Sequence, residues 1–158
     1  MNLLSQRVAD ILSEKLPEQA DTFASNAQAF ESDLATVYSD FATQTAGKTA
    51  KEFIVFHDAY DYMFASASID TELKRVFSEQ LFGEIGTAHT QELIDAIAEH
   101  SIVHIYREPQ MSDTALQNFA TEYNLSVGVL DPIGQDASAT GYIENIRSNL
   151  NEISQVYE

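Results

Sequence analysis

The sequence lacks cysteine entirely and carries only 8 lysine and arginine residues against 25 aspartate and glutamate residues. Without cysteine the chain has no disulfides, no thiolate metal sites and no cysteine nucleophile. The formal net charge of −17 argues against nucleic acid and anionic lipid surfaces as partners, because such a surface repels phosphate groups. The same charge attracts cations loosely.

Long apolar runs are also missing, and no segment approaches the length of a membrane span. The first residues, MNLLSQRVADILSEK, are amphipathic and interrupted by charges, so they do not form the apolar core of a signal peptide. With 158 residues and 44% hydrophobic content, the chain is long enough for one domain with a real core. These features predict either a cytosolic protein or a mature or shortened form of an exported one.

Residues 3 to about 46 have helical periodicity. Pro17 is placed where a new helix would begin, with Glu18 and Asp21 near its positive end. Beyond it, apolar residues recur every three or four positions, at Phe23, Ala27, Phe30, Leu34, Val37 and Phe41. The spacing predicts a long amphipathic helix ending near Gly47, with an apolar seam that packs on the protein's own body; a coiled coil between two chains is the alternative.

From residue 52 the pattern changes to alternating strands and helices. Strands are predicted over 53–57, 76–82, 102–106 and 125–130, and helices over 90–99, 113–123 and 142–156, with Ser112 or Asp113 as a helix cap. This alternation predicts right-handed crossovers. The expected architecture is an α/β fold with a parallel sheet of about four strands, flanked by helices and preceded by the long N-terminal helix.

Polar residues stand at or just beyond the ends of three predicted strands: His57 and Asp58, then Glu108, then Asp131. In open α/β sheets, ligands bind beyond the carboxyl ends of the strands, so we expect these side chains at one edge. Three interpretations fit the pattern: a metal site, acid–base catalysis by His57 with Asp131 or Glu108, and a purely structural role. The sequence contains no Gly-x-Ser-x-Gly nucleophile elbow and no phosphate-binding glycine loop.

Three ordered motifs carry a resemblance to a known family. FHDAYDYMF (56–64), REPQMS (107–112) and VLDPIG (129–134) resemble the C-terminal lobe of the zinc and manganese solute-binding receptors of ABC importers, the cluster A-I group that includes adhesins. The long helix resembles the backbone helix that joins that family's two lobes. The resemblance implies a helical arm over residues 1–46 and an α/β lobe over 47–158, with the first lobe absent from this chain.

The family's function is not enzymatic. The resemblance implies capture of one divalent ion between two lobes, in the periplasm or another extracytoplasmic space, and delivery to an ABC permease. Four side chains would hold the ion, and His57 and Asp131 match the two ligand positions of this lobe. His57 favours zinc over manganese, because nitrogen ligands suit zinc. Glu108, Asp58 and Tyr60 are interpreted as supports for the site, not as ligands.

Two departures from the family pattern affect this interpretation. The two histidines of the first lobe are missing, and Asp61 stands where the family has glycine. A tetrahedral zinc site with two of its four ligands is half built, so we expect weak metal binding by this chain alone. Two alternatives stay open: a stand-alone binding or assembly module that dimerises or swaps domains, and a small hydrolase that uses His57 with a carboxylate.

Overall fold

A parallel four-stranded sheet with helices on both faces forms the main body of the protein. A computed structural model describes residues 2–77, 87–112, 114–136 and 138–158. Its elements are α1 (Asn2–Lys15), a 3-10 turn (Pro17–Gln19), α2 (Ala20–Gln44), β1 (Phe53–Val55), α3 (Asp61–Ser66), a 3-10 turn (Thr71–Leu73), β2 (Lys74–Val76), α4 (Thr87–His100), β3 (His104–Arg107), α5 (Thr114–Glu122), β4 (Ser126–Val129), α6 (Ala139–Ile153) and a 3-10 turn (Ser154–Val156). The strand order is β2-β1-β3-β4 and every pairing is parallel, which confirms the predicted fold class.

Apolar side chains cover both faces of this sheet. In β1, Phe53 and Val55 belong to a core shared with α2, α3 and α6, whereas Ile54 belongs to a second core shared with α4 and α5. All three side chains are fully buried. A strand buried on both faces needs a continuous apolar run, which is why this segment does not alternate with polar residues.

The long helix α2 packs its apolar seam on the protein's own body, as predicted. Ala27, Leu34, Val37 and Phe41 are its buried residues. Helix α1 packs along α2, where Ser5 Oγ donates to Glu31 Oε1 at 2.6 Å, and α6 also packs on α2. Helix α1 leaves several apolar side chains exposed, among them Leu4, Val8 and Ile11. Over the ranges that the structure describes, no helix combines the length and apolar character needed to cross a bilayer.

Several strand boundaries differ from the prediction. Strand β1 ends at Val55, so His57 lies in the turn that follows it. Strand β3 begins at His104 because Ser101 adopts a left-handed φ of 54° and the Ile102 amide bonds back to the end of α4. Strand β2 covers Lys74–Val76, earlier than the predicted 76–82. Residues 78–82 of that prediction lie outside the described residues.

The helices are shifted by smaller amounts. Helix α4 begins at Thr87 instead of residue 90. Helix α6 begins at Ala139, where Ser138 Oγ accepts the Gly141 amide at 3.0 Å, and it ends in a 3-10 turn. The short helix α3 was not predicted at all. Of the two predicted caps of α5, Asp113 lies outside the described residues.

Candidate metal site

The carboxyl ends of β1, β3 and β4 bring three polar side chains to one edge of the sheet. His57 follows β1 by two residues, Glu108 follows β3 directly, and Asp131 follows β4 by two residues. Parallel pairing of β1 with β3 and of β3 with β4 places these three ends side by side. Neighbouring strands are about 4.8 Å apart, so the two outer ends are separated by about two such spacings.

His57 is held by Glu108 and leaves one ring nitrogen without a partner. Its Nδ1 lies 3.2 Å from Glu108 Oε2, and the two side chains are only 14% and 6% exposed. In the neutral imidazole, a carboxylate at this distance accepts the Nδ1 proton, and that tautomer has its lone pair on Nε2. Nε2 is buried and has no hydrogen-bond partner among the described residues. A buried nitrogen in this state, backed by a carboxylate on the other side of the ring, matches a histidine prepared for a metal ion.

The Asp131 carboxylate is held mainly by one of its two oxygens. Oδ1 accepts the backbone amides of Ile133 and Gly134 at 3.0 and 2.8 Å, and it also accepts Gln110 Nε2. Oδ2 has one long contact, 3.4 Å from Gln135 Nε2. Burial alone would raise the pKa of Asp131, but the hydrogen bonds outweigh it and lower that pKa below its ordinary value. The group is therefore a carboxylate at neutral pH, with Oδ2 as its less occupied oxygen.

Two asparagines of α6 fix the backbone of Asp131. Asn149 is 3% exposed; its side chain accepts the Asp131 amide at 2.9 Å and donates to the Asp131 carbonyl at 2.8 Å. Asn145 donates to the same carbonyl at 2.9 Å. The two residues are four apart and so lie on one face of α6. They anchor the loop after β4 to the closing helix.

Tyr60 connects the loop after β1 to the end of β4. It is buried, and its hydroxyl donates to the Leu130 carbonyl at 2.9 Å. Burial, followed by the negative charges of Glu108 and Asp131, raises the pKa of Tyr60 far above its usual value. The hydroxyl therefore stays a neutral donor within electrostatic reach of both carboxylates. It links the loops that carry His57 and Asp131.

A lysine from β2 stabilises the loop that follows His57. Lys74 Nζ donates to Asp58 and to Asp61, and its side chain is 7% exposed. Burial would lower the pKa of Lys74, but the two carboxylates raise it overall. Asp61, at the position where the resemblance implies glycine, thus has a defined partner. Asp58 faces Lys74, and its role as a loop support stays a prediction.

The other three histidines have different neighbours. His89 Nε2 lies 2.8 Å from the Val76 carbonyl, His100 Nδ1 lies 3.1 Å from Glu52 Oε1, and the His104 ring stacks on Tyr106. In the described parts of the chain, no group of three or more histidine, aspartate or glutamate side chains is arranged to hold an ion. Among the described residues, this edge of the sheet offers Nε2 of His57, Oδ2 of Asp131 and the buried Oε1 of Glu108, which also has no hydrogen-bond partner.

Reasoning from the sequence did not single out the residues that hold the site in shape. Lys74 lies in a segment with a weak strand pattern, and Asn145 and Asn149 resemble ordinary polar positions of an amphipathic helix. Their spacing of four on α6 was the one available signal. Gln110 was visible only as part of the REPQMS motif.

The chain matches the family described as "Zinc-uptake complex component A periplasmic" (ZnuA) over residues 1–156. The high-affinity zinc uptake system protein ZnuA of Haemophilus influenzae is 32% identical over 133 residues, which are 84% of this chain and 39% of that protein. The zinc-binding lipoprotein AdcA of Streptococcus pneumoniae is 26% identical over 159 residues, 96% of this chain and 31% of that protein. The chain therefore spans less than half the length of these two relatives.

Solved structures show the same fold. A crystal structure of ZnuA superimposes with a TM-score of 0.78 at 21% identity, covering 94% of this chain and 55% of that one. The laminin binding protein Lmb of Streptococcus agalactiae superimposes with a TM-score of 0.79 at 21% identity, covering 94% of this chain and 58% of that one. The two sequence relatives are named as a zinc uptake system protein and a zinc-binding lipoprotein. Because the family match extends over residues 1–156, the chain belongs to the periplasmic zinc-uptake component A family.

Proposed function

We propose that this chain supplies half of the ion site of a zinc-type receptor of an ABC importer, with His57 and Asp131 as its two ligands. The observation that carries the proposal is the buried, unpartnered Nε2 of His57, whose Nδ1 is held by Glu108. Zinc is the favoured ion because it accepts imidazole nitrogen and a single carboxylate oxygen in a four-coordinate site. Manganese is the second candidate.

The remaining ligands come from outside the described site. The relatives are longer than this chain, and the family resemblance implies a second lobe with two more ligands. In our proposal residues 1–46 form the arm between lobes and residues 47–158 the ligand-bearing lobe. The intact receptor captures the ion in the periplasm or another extracytoplasmic space and hands it to a permease. With two ligands the chain alone binds zinc weakly, since water must complete the shell.

A Zn²⁺ titration followed by ¹H–¹⁵N NMR tests the two ligands, because it detects weak binding residue by residue. We expect signals around His57 and Asp131 to move together, and His57→Ala to abolish the response at both. The matched control is His100→Ala, which also removes an imidazole held by a glutamate, here 3.1 Å from Glu52, but one that is 36% exposed. A response that survives His57→Ala, or tight one-to-one binding by the monomer in calorimetry, would contradict the proposal.

A second candidate is a module that pairs with another copy of itself. The observation in its favour is the apolar side of α1, where Leu4 is 72% exposed and Val8 and Ile11 about half exposed. Apolar residues clustered on one helix face commonly mark a contact surface. Light scattering with and without Zn²⁺ separates the cases. A dimer in both conditions supports pairing through α1, and a dimer that forms only on adding zinc supports sharing of the ion between two His57 residues. A monomer in both conditions supports the half-site.

A further inference from the structure

We propose that the turn formed by residues 131–134, together with Gln110, sets the ion selectivity of this edge of the sheet by offering the ion only Oδ2 of Asp131. The inference rests on the proposed function, because it assumes that Asp131 is a ligand. It concerns which ions the site accepts, which the ligand identities alone do not determine.

Oδ1 of Asp131 has no room for an ion in addition to its donors. Ile133 N, Gly134 N and Gln110 Nε2 all donate to this one oxygen. A carboxylate oxygen offers about two lone-pair directions, so three donors saturate it. Among the described residues, Oδ2 has only the Gln135 contact at 3.4 Å, beyond the usual length of a strong hydrogen bond. The carboxylate can therefore give one oxygen to an ion without breaking its existing bonds.

The donors to Oδ1 oppose a turn of the carboxylate that would present both oxygens, because such a turn breaks their hydrogen bonds. Asn149 holds the Asp131 amide and carbonyl, so the backbone at this position is fixed from α6. Gly134 has a φ of 80°, in the left-handed region that favours glycine, and this conformation points its amide at Oδ1. A substitution that strains Gly134 would loosen the turn.

A one-oxygen carboxylate discriminates between ions by their coordination number. Zinc in proteins takes four ligands, and one carboxylate oxygen fills one position. Calcium takes six to eight oxygens and commonly uses both oxygens of a carboxylate, and manganese also favours six oxygen-rich positions. Because Oδ1 is already occupied by its donors, calcium and manganese lose one oxygen ligand of their larger shells, whereas zinc loses none. Releasing Oδ1 should therefore improve manganese binding relative to zinc.

The test uses Gln110→Ala and Gly134→Ala. The first variant removes one donor to Oδ1. The second strains the turn through its positive φ and not through a clash, because an added Cβ would lie 3.5 Å from Asn145, an ordinary contact. Gly134→Asn is the conservative variant, because asparagine tolerates left-handed φ better than alanine. Gln91→Ala is the matched control: Gln91 also donates to an aspartate, Asp95 at 2.8 Å, on the distant helix α4.

Each protein is titrated with Zn²⁺ and, separately, with Mn²⁺ by ¹H–¹⁵N NMR, reading zinc from shifts and manganese from line broadening at Ile133 and Gly134. We expect the ratio of manganese to zinc affinity to rise about two- to tenfold in Gly134→Ala, the range that one hydrogen bond supplies. The rise should be smaller in Gln110→Ala, because the two backbone amides still occupy Oδ1. Gly134→Asn should return towards the original ratio, and Gln91→Ala should keep it.

The outcomes separate this inference from the proposed function. If the unaltered chain binds zinc at His57 and Asp131 but the ratio stays constant in both alanine variants, the selectivity inference fails and the half-site proposal stands. If neither ion affects these residues in the unaltered chain, the half-site proposal fails and the inference with it. If Gly134→Ala loses its overall structure, the affinity ratio of Gln110→Ala decides the question, because Gln110 is an exposed side chain.

Discussion

Replacing Asn149 should cost much more stability than replacing Asn145, although both asparagines lie on α6 and both bind Asp131. Asn149→Ala removes two hydrogen bonds, to the Asp131 amide at 2.9 Å and to the Asp131 carbonyl at 2.8 Å. Asn145→Ala removes one, to the same carbonyl at 2.9 Å. The difference lies in what each variant leaves without a partner.

The magnitudes follow from that difference. In Asn149→Ala the Asp131 amide loses its acceptor, and an unsatisfied donor in a partly buried position costs about 1–3 kcal/mol. The carbonyl keeps Asn145, so losing one of its two bonds adds about 1 kcal/mol, giving about 2–4 kcal/mol in total. Asn145→Ala leaves both backbone groups bound by Asn149, and we expect about 0.5–1 kcal/mol.

Urea denaturation followed by circular dichroism measures both free energies of unfolding. The double variant is informative as well, because it leaves the Asp131 carbonyl with neither donor. Its cost should exceed the sum of the single variants, which is the behaviour of residues that share one partner. Equal costs for the two single variants, or strict additivity in the double variant, would show that the two asparagines do not act on Asp131 in the way described.

Two further variants examine other parts of the structure. Lys74→Met should lower the free energy of unfolding by about 1 kcal/mol and weaken zinc binding at His57, because it leaves the Asp58 and Asp61 carboxylates without their shared cation. The control Lys51→Met, at an exposed ion pair, should change neither quantity. An unaltered zinc response in Lys74→Met would show that Lys74 does not position the loop after His57. For His104, burial lowers the pKa below its ordinary value, so the unfolded chain takes up the proton first and stability falls as the pH drops below about 6.5. His104→Gln should flatten this decline in urea denaturation between pH 7.5 and 5.5, and an identical slope in both proteins would contradict the assignment.

The long, regular elements of this fold were predictable because their patterns are strong. Helix α2 repeats apolar residues over its whole length, and β1 is a short run buried on both faces, so type and order followed from period alone. Helix α3 was missed since its six residues are too few to show a period and are held by the burial of Met63 and Phe64. The start of β3 depends on the left-handed turn at Ser101, which no periodicity announces.

In the candidate site, too, some residues could be predicted from the sequence and others could not. His57, Glu108 and Asp131 could be found because residues after parallel strands converge at one edge and because three motifs occur in the expected order. The supporting residues could not, since their roles depend on long-range contacts. Asn149 approaches Asp131 from a different helix, and its position beside Leu150 reads as the boundary of an ordinary amphipathic face.

In the proposed receptor, the excess of acidic residues and the buried histidine would act at different stages of ion capture. A net charge of −17 attracts every cation, but exposed carboxylates stay hydrated, and their field decays within a Debye length of about 8 Å at physiological ionic strength. Such a surface concentrates ions without choosing among them. Choice requires a ligand that hard, oxygen-seeking ions such as calcium do not favour. In the proposed site the Nε2 atom of His57 would be such a ligand, and it lies at the edge where the loops after β1 and β4 are joined by Tyr60 donating to Leu130. Under that proposal, selectivity depends on the few hydrogen bonds that position His57 and Asp131, and much less on the number of acidic groups around them.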